Sequence, residues 1–219
     1  MAVSSRLLPG MLVITLLKGV AVGIVIALPA GPVGVLCVRR CLFEGQLFGF
    51  VSGLGAAVAD ATFGAIAALG LTFLRDWLLQ HQNWFALAGG IFLLGFGVKA
   101  LFLYRAGNPE PLAGEALFGA FASCYALTIA NPITLLSFAA IFATVGAGAV
   151  SDFGDASILV GGVFLGSLLW WLGLSFGIAH LRNFAGDLVM LWLNRISGVI
   201  LLSSGIGLVI IAAHGLATG

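Results

Sequence analysis

Residues 46–74 read QLFGFVSGLGAAVADATFGAIAALGLTFL, a run of 29 residues whose one charge is Asp60. A hydrocarbon core about 30 Å thick is crossed by about 20 apolar helical residues, so this stretch spans with length to spare. A carboxylate near its middle costs roughly 2.5–3.5 kcal/mol on insertion scales. Gly49, Gly53, Ala56, Asp60, Gly64 and Ala67 recur three or four residues apart and therefore share one helical face. Small-residue stripes are where membrane helices pack, so Asp60 is expected to face the bundle interior. Two readings follow: a proton or substrate-amine site, or a structural carboxylate tied to a neighbouring helix end.

The rest of the chain agrees. Of 219 residues, 61% are apolar and 8% charged, with a mean hydropathy of +1.19. Soluble domains carry roughly 25% charged residues, so this chain cannot cover a water-facing surface. That excludes a soluble enzyme, a nucleic-acid binder and a disordered chain. The net charge of +1 offers no basic footprint for nucleic acid or an anionic lipid surface. Cys37, Cys41 and Cys124 do not make a disulfide framework, and no Cys/His spacing suggests a metal site. His81, His180 and His214 fall near segment ends, as interfacial residues do. No cofactor is called for. The N-terminal MAVSSRLLPG lacks a clear small-residue cleavage site, so a cleaved signal peptide is not expected.

Apolar windows give six spans, at about 11–36, 46–74, 84–104, 116–146, 156–181 and 188–213. The alternating segments of a membrane β-barrel are absent. Pro29-Ala30-Gly31-Pro32 interrupts the first span and Asn131-Pro132 the fourth. Proline removes a backbone donor and crowds the previous turn, so both helices should kink or break there. The most polar stretch, 105–115, links a half at 1–104 to a half at 116–219. The halves repeat. Gly31-Pro32 answers Asn131-Pro132, and Gly49, Gly53, Asp60 and Gly64 answer Gly162, Gly166, Gly173 and Gly177 at a constant offset. Gly90 and Gly97 answer Gly198 and Gly205. Three spans per half is odd, so the second half must be inverted, and broken helices at matching places point to a transport site near the midplane. The expected fold is an all-α integral membrane protein of six helices in two inverted three-helix repeats. Arg39, Arg40, Arg105 and Arg182 fall in loops one, three and five, which puts both termini outside the cytoplasm.

Gly31, Pro32, Asn131 and Pro132 are expected to line a water-accessible cavity between the halves, with Asp60 pointing in and Trp170 on its wall. Trp170 has a plainer reading as a knob in a glycine-lined packing hole. Lys18 either pairs with Asp60 or reaches the outer headgroups. Lys99, just before Tyr104-Arg105, snorkels to the interface.

An ordered set of short motifs over roughly 15–210 resembles the lysine-exporter (LysE/RhtB) family of amino-acid efflux carriers. The set comprises Gly31-Pro32, Val35-Leu36, Arg39-Arg40 and Gly45, then Gly49, Gly53, Gly55 and Asp60. It continues with Gly97-Val98-Lys99, Asn131-Pro132 and Asn194-Arg195-Ile196-Ser197-Gly198. Two positions depart from the family pattern: Val33 stands where a polar or acidic residue is common, and Ile133 where Lys is common.

The resemblance implies export of a small amino acid or related metabolite across the bacterial inner membrane. With no Walker motif in the chain, proton antiport is the expected drive. One charge moved through 100 mV yields about 2.3 kcal/mol, enough for more than a tenfold gradient. The expected partners are the amino acid, the proton and membrane lipid, and a homodimer is among the assemblies the sequence allows. A cation or metal exporter is the alternative within transport, although the spans offer one Asp and no ligand cluster. From another class, Cys37 and Cys124 near the two breaks resemble the paired cysteines of CcdA/DsbD-type thiol–disulfide electron carriers. In that family the cysteines flank the prolines, whereas here Cys37 lies five residues after Pro32 and Cys124 eight before Pro132.

Overall fold

The computed structural model of the chain describes residues 4–28, 31–68, 77, 80–102, 114–131, 134, 137–138, 153–182 and 187–218. Among them are seven helices: α1 (Ser4–Ala27), α2 (Gly31–Phe43), α3 (Gln46–Ala68), α4 (Gln82–Phe102), α5 (Gly114–Ile129), α6 (Phe153–Arg182) and α7 (Asp187–Thr218). Helices α3, α6 and α7 are each long and apolar enough to cross a membrane, and α1 and α2 pass the same test only when taken together across the bend between them. Large apolar side chains such as Leu17, Ile91, Phe118 and Ile210 are exposed, as they are on a lipid-facing surface.

The first break is built locally. The Leu28 amide bonds the Ile24 carbonyl at 2.9 Å and closes α1. Helix α2 starts at Gly31, whose φ of +41° suits a residue without Cβ. Its axis lies at 83° to that of Leu12–Ala27. Pro29 and Ala30 lie outside the described residues. At the far end of α2, the Glu44 and Gly45 amides both bond the Arg40 carbonyl, at 2.8 and 3.0 Å. Gly45, with φ +113°, then turns the chain into α3.

Glycines set the packing. A Cβ on Gly19, Gly23, Gly162 or Gly166 would strike the backbone of the facing helix, so α1 and α6 lie side by side, running parallel. Gly55 brings α3 equally close to Phe121 of α5, and the two run parallel, since Ser52 and Ala120 share Arg40 while Asp60 and Thr128 share one cavity. Gly53 seats Trp171, which makes α3 antiparallel to α6, while Gly90, Gly97 and Gly205 bring α4 and α7 together antiparallel. In lipid, close backbone approach of this kind substitutes for a hydrophobic driving force.

Two expectations are corrected. Arg39 and Arg40 are not loop residues: both lie in α2 and are buried, 6% and 4% exposed. The break at residue 28 restarts the helix, which carries the pair into the bundle. The glycine stripe of α6 also stops halfway. Gly162 and Gly166 pack on α1, but Gly173 and Gly177 have open space where a Cβ would point. Helix α1 ends at Ala27, and its Gly23 faces Val163 and Ser167, so α1 does not reach the later glycines. The fourth span is helical from Gly114 to Ile129, and residues 139–152 lie outside the described set. So does most of the 105–115 linker.

Candidate functional site

Asp60 lies fourteen residues after Gln46 and eight before Ala68, in the middle part of α3. It is 3% exposed. Its Oδ2 accepts a hydrogen bond of 2.7 Å from Ser167 Oγ of α6. Ser167 is itself fully buried, where Gly23 lets α1 close over α6. Among the described residues Asp60 has no cation partner. One neutral donor against four lone-pair sites leaves the carboxylate with spare accepting capacity.

Beside it is a cavity of about 50 Å³. Half of its lining residues are polar: Asp60, Thr128, Asn131, Thr134 and Ser137. The other half are apolar: Ile26, Ala27, Val33, Ala56 and Trp171. The lining thus comes from both sides of the α1–α2 break, from α3, from the end of α5 with the segment after it, and from α6. At Asn131 the helix is giving way to turns: its amide bonds the Thr128 carbonyl at 3.2 Å and its carbonyl accepts from Thr134 at 3.1 Å. Trp171 is 2% exposed, and its indole N–H has no hydrogen-bond acceptor among the described residues. A buried donor without an acceptor is uncommon and costs about 1–3 kcal/mol.

Of the residues singled out in sequence, Asp60 and Asn131 meet at this cavity. Gly31 is exposed and Pro32 half-buried, and the cavity wall on either side of them is Ala27 and Val33. Pro132 and Ile133 lie outside the described residues. Lys18 is exposed on α1 and makes no ion pair with Asp60. Trp170 is half-buried and packs against the apolar core, while its neighbour Trp171 lines the cavity. The buried face of α6 follows i, i+4 steps through Leu159, Val163, Ser167, Trp171 and Ser175, one residue off the glycine stripe. Hydroxyls inside apolar spans, Ser167 and Thr128, were the available signal for the missed lining residues.

A second polar centre joins α2 to α5. Arg40 Nη1 donates to Ser52 Oγ at 2.9 Å and to the Ala120 carbonyl at 3.0 Å. Its Nη2 donates to Ser123 Oγ at 2.8 Å, and Cys124 Sγ is 3.6 Å from Nη1. The guanidinium lies 5.2 Å from the Phe96 ring centroid, and Glu44 is 3.9 Å away. Cys37 and Cys124 are fully buried beside it with sulfurs 3.8 Å apart. Among the described residues, no three His, Cys, Asp or Glu side chains gather as a metal would require.

Apolar membrane-crossing helices that enclose one carboxylate beside a broken helix define a multi-pass membrane transporter. The chain belongs to the LysE family: the sequence model of the LysE type translocator matches residues 24–211. Proteins of this family are translocators, not enzymes. The chain is also 25% identical over 199 residues to "Putative amino acid efflux protein YcgF" of Bacillus subtilis (strain 168), covering 86% of this chain and 92% of that protein. No solved structure matches.

Proposed function

We propose that the protein is a secondary exporter of a small neutral amino acid or closely related metabolite, with Asp60 exchanging a proton for the substrate ammonium. The observation that carries this reading is a buried carboxylate with a single neutral donor on the wall of a half-polar cavity. A proton and an ammonium competing for one carboxylate give obligatory exchange with no second ionisable group. Val33 and Ile26 are among its apolar lining residues. The described lining offers one carboxylate, so a second, side-chain ammonium such as lysine's would have no partner. The substrate carboxylate would supply the acceptor that the Trp171 indole lacks. Ligand pockets for drug-sized molecules measure roughly 300–1,000 Å³. The cavity of about 50 Å³ would therefore have to widen to take an amino acid.

The transport frame is two inverted halves in the bacterial inner membrane, with both termini outside. What supports inversion is the pairing: α1 beside α6 and α5 beside α3 become equivalent when the halves are exchanged, both parallel. The pairs α3–α6 and α4–α7 join counterpart helices antiparallel, as a two-fold axis in the membrane plane requires. For orientation, one pocket lined by both Cys41 and Arg182 sets the basic ends of α2 and α6 on one side.

The test is uphill export from proteoliposomes loaded with alanine, valine, threonine or lysine under an imposed pH gradient. We expect the neutral residues to leave at least about tenfold faster than lysine, the effect of one buried charge without a partner. Asp60→Asn should insert and fold but lose uphill export. Undiminished, pH-dependent export by Asp60→Asn would overturn the reading.

A second reading has one observation in its favour, the 3.8 Å approach of Cys37 to Cys124. Against an electron carrier, both thiols are sealed, 2% and 0% exposed, beside Arg40. Replacing both with Ser should leave export intact and would abolish electron transfer.

A further inference from the structure

Away from the Asp60 cavity, two hollows between α3 and the end of α6 share Gln46 and Phe176. The first, about 380 Å³, is lined by Arg182, His180, Ala179 and Cys41 besides the shared pair. The second, about 320 Å³, is lined by Leu47, Phe50, Leu172 and Ser175 besides the same pair. One is basic and the other apolar, and they adjoin at Gln46 and Phe176.

Their depths differ in a matching way. Helix α6 has 30 residues. At 1.5 Å per residue that is about 45 Å, against a hydrocarbon core of about 30 Å, so its end emerges among the headgroups. Leu172 lies ten residues before Arg182 on α6, about 15 Å deeper. The face from Arg182 through Ala179 and Phe176 to Leu172 steps by three or four residues and runs from phosphate level to mid-leaflet. Arg182 is half-buried and makes no hydrogen bond or ion pair among the described residues, and no described carboxylate lines the basic hollow.

We propose that these two hollows form one binding site for an anionic phospholipid, its phosphate held by Arg182 and an acyl chain laid along Phe50, Leu172 and Phe176. Guanidinium donates two parallel bonds to phosphate, which a compact ammonium cannot. A cation that no described carboxylate pairs, adjoining an apolar hollow that reaches about 15 Å deeper, selects an anionic amphiphile over a soluble anion. A net charge of +1 hides such a site because it is local, not a surface-wide footprint. The site does not depend on the substrate or on proton coupling.

The test is native mass spectrometry of the purified full chain titrated with dioleoyl-phosphatidylglycerol or dioleoyl-phosphatidylcholine. We expect the anionic lipid to bind about tenfold tighter or more, the worth of a charge-assisted bond. Arg182→Gln should erase that preference, Arg182→Lys should keep part of it, and Phe176→Ser should weaken both lipids alike. Arg195→Gln, on α7, should change nothing. Should Arg182→Gln retain the preference, or Arg182→Lys lose it as fully as Gln, the site is not there. Inorganic phosphate displacing the lipid at equal concentration would make it a free-anion site and overturn the proposal.

Discussion

Arg40 and Asp60 are equally buried, 4% and 3% exposed, and are held in opposite ways. Arg40 has two serine hydroxyls, a backbone carbonyl, a thiol, an aromatic face and the half-buried Glu44 around it. Asp60 has one serine hydroxyl and a cavity. A buried charge whose bonding capacity is filled is a fastener, because any movement breaks several charge-assisted bonds at once. A buried charge with capacity to spare can trade partners. Arg40 joins α2 to α3 and α5; Asp60 holds α3 to α6 by a single bond.

The largest expected effect follows from that inequality. Arg40→Ala should cost about 3–5 kcal/mol, as losing one side of a buried ionic network does. Thermal unfolding in detergent, read by tryptophan fluorescence, measures it. Arg40→Lys should recover only part, since an ammonium cannot reach two serines and a carbonyl with one planar fork. A loss below about 1 kcal/mol would put Arg40 among ordinary surface cations.

Next is Gly53→Ala. Its Cβ would meet the Trp171 side chain, so overpacking should cost about 1–3 kcal/mol and shift the cavity wall. Both unfolding temperature and export rate should fall. Normal export with lowered stability would detach Trp171 from the site.

Ser167→Ala sharpens the contrast from the other side. Loss of one charge-assisted bond should slow export about tenfold, with about 1.5–3 kcal/mol less stability at most. If stability falls as far as in Arg40→Ala while transport is unchanged, Asp60 is a fastener too. Smallest is Lys18→Gln: the side chain is exposed and unpaired with Asp60, so export should change less than about twofold.

Much of this was legible in residues 46–74 and in the two prolyl breaks. A lone Asp on a small-residue face could only be tolerated inside the bundle, and it lies there. The glycine spacing that suggested repeats also marks where helices touch, because the absence of a Cβ is itself the contact. Arg40 was illegible as a fastener. Sequence near a span end reads basic residues as a loop, and only the restart of the helix at Gly31 carries them inward. Trp171 was missed for Trp170 because the glycine stripe marks the α1 side of α6, while the cavity faces α3. One residue is a 100° turn, enough to change which neighbour a ring meets. The hydroxyls of Thr134 and Ser137 lie beyond Asn131-Pro132, where helical periodicity no longer tells which side chains turn inward.

The central claim is that one carboxyl carries proton and substrate in turn. It is tested by adding substrate to the purified protein in weakly buffered detergent solution and recording proton release with a pH indicator. At a pH where the wild-type protein binds substrate more weakly as acidity rises, about one proton should be released per substrate bound. Asp60→Asn should release none. Undiminished release from Asp60→Asn would place the coupled proton on another group and contradict the account.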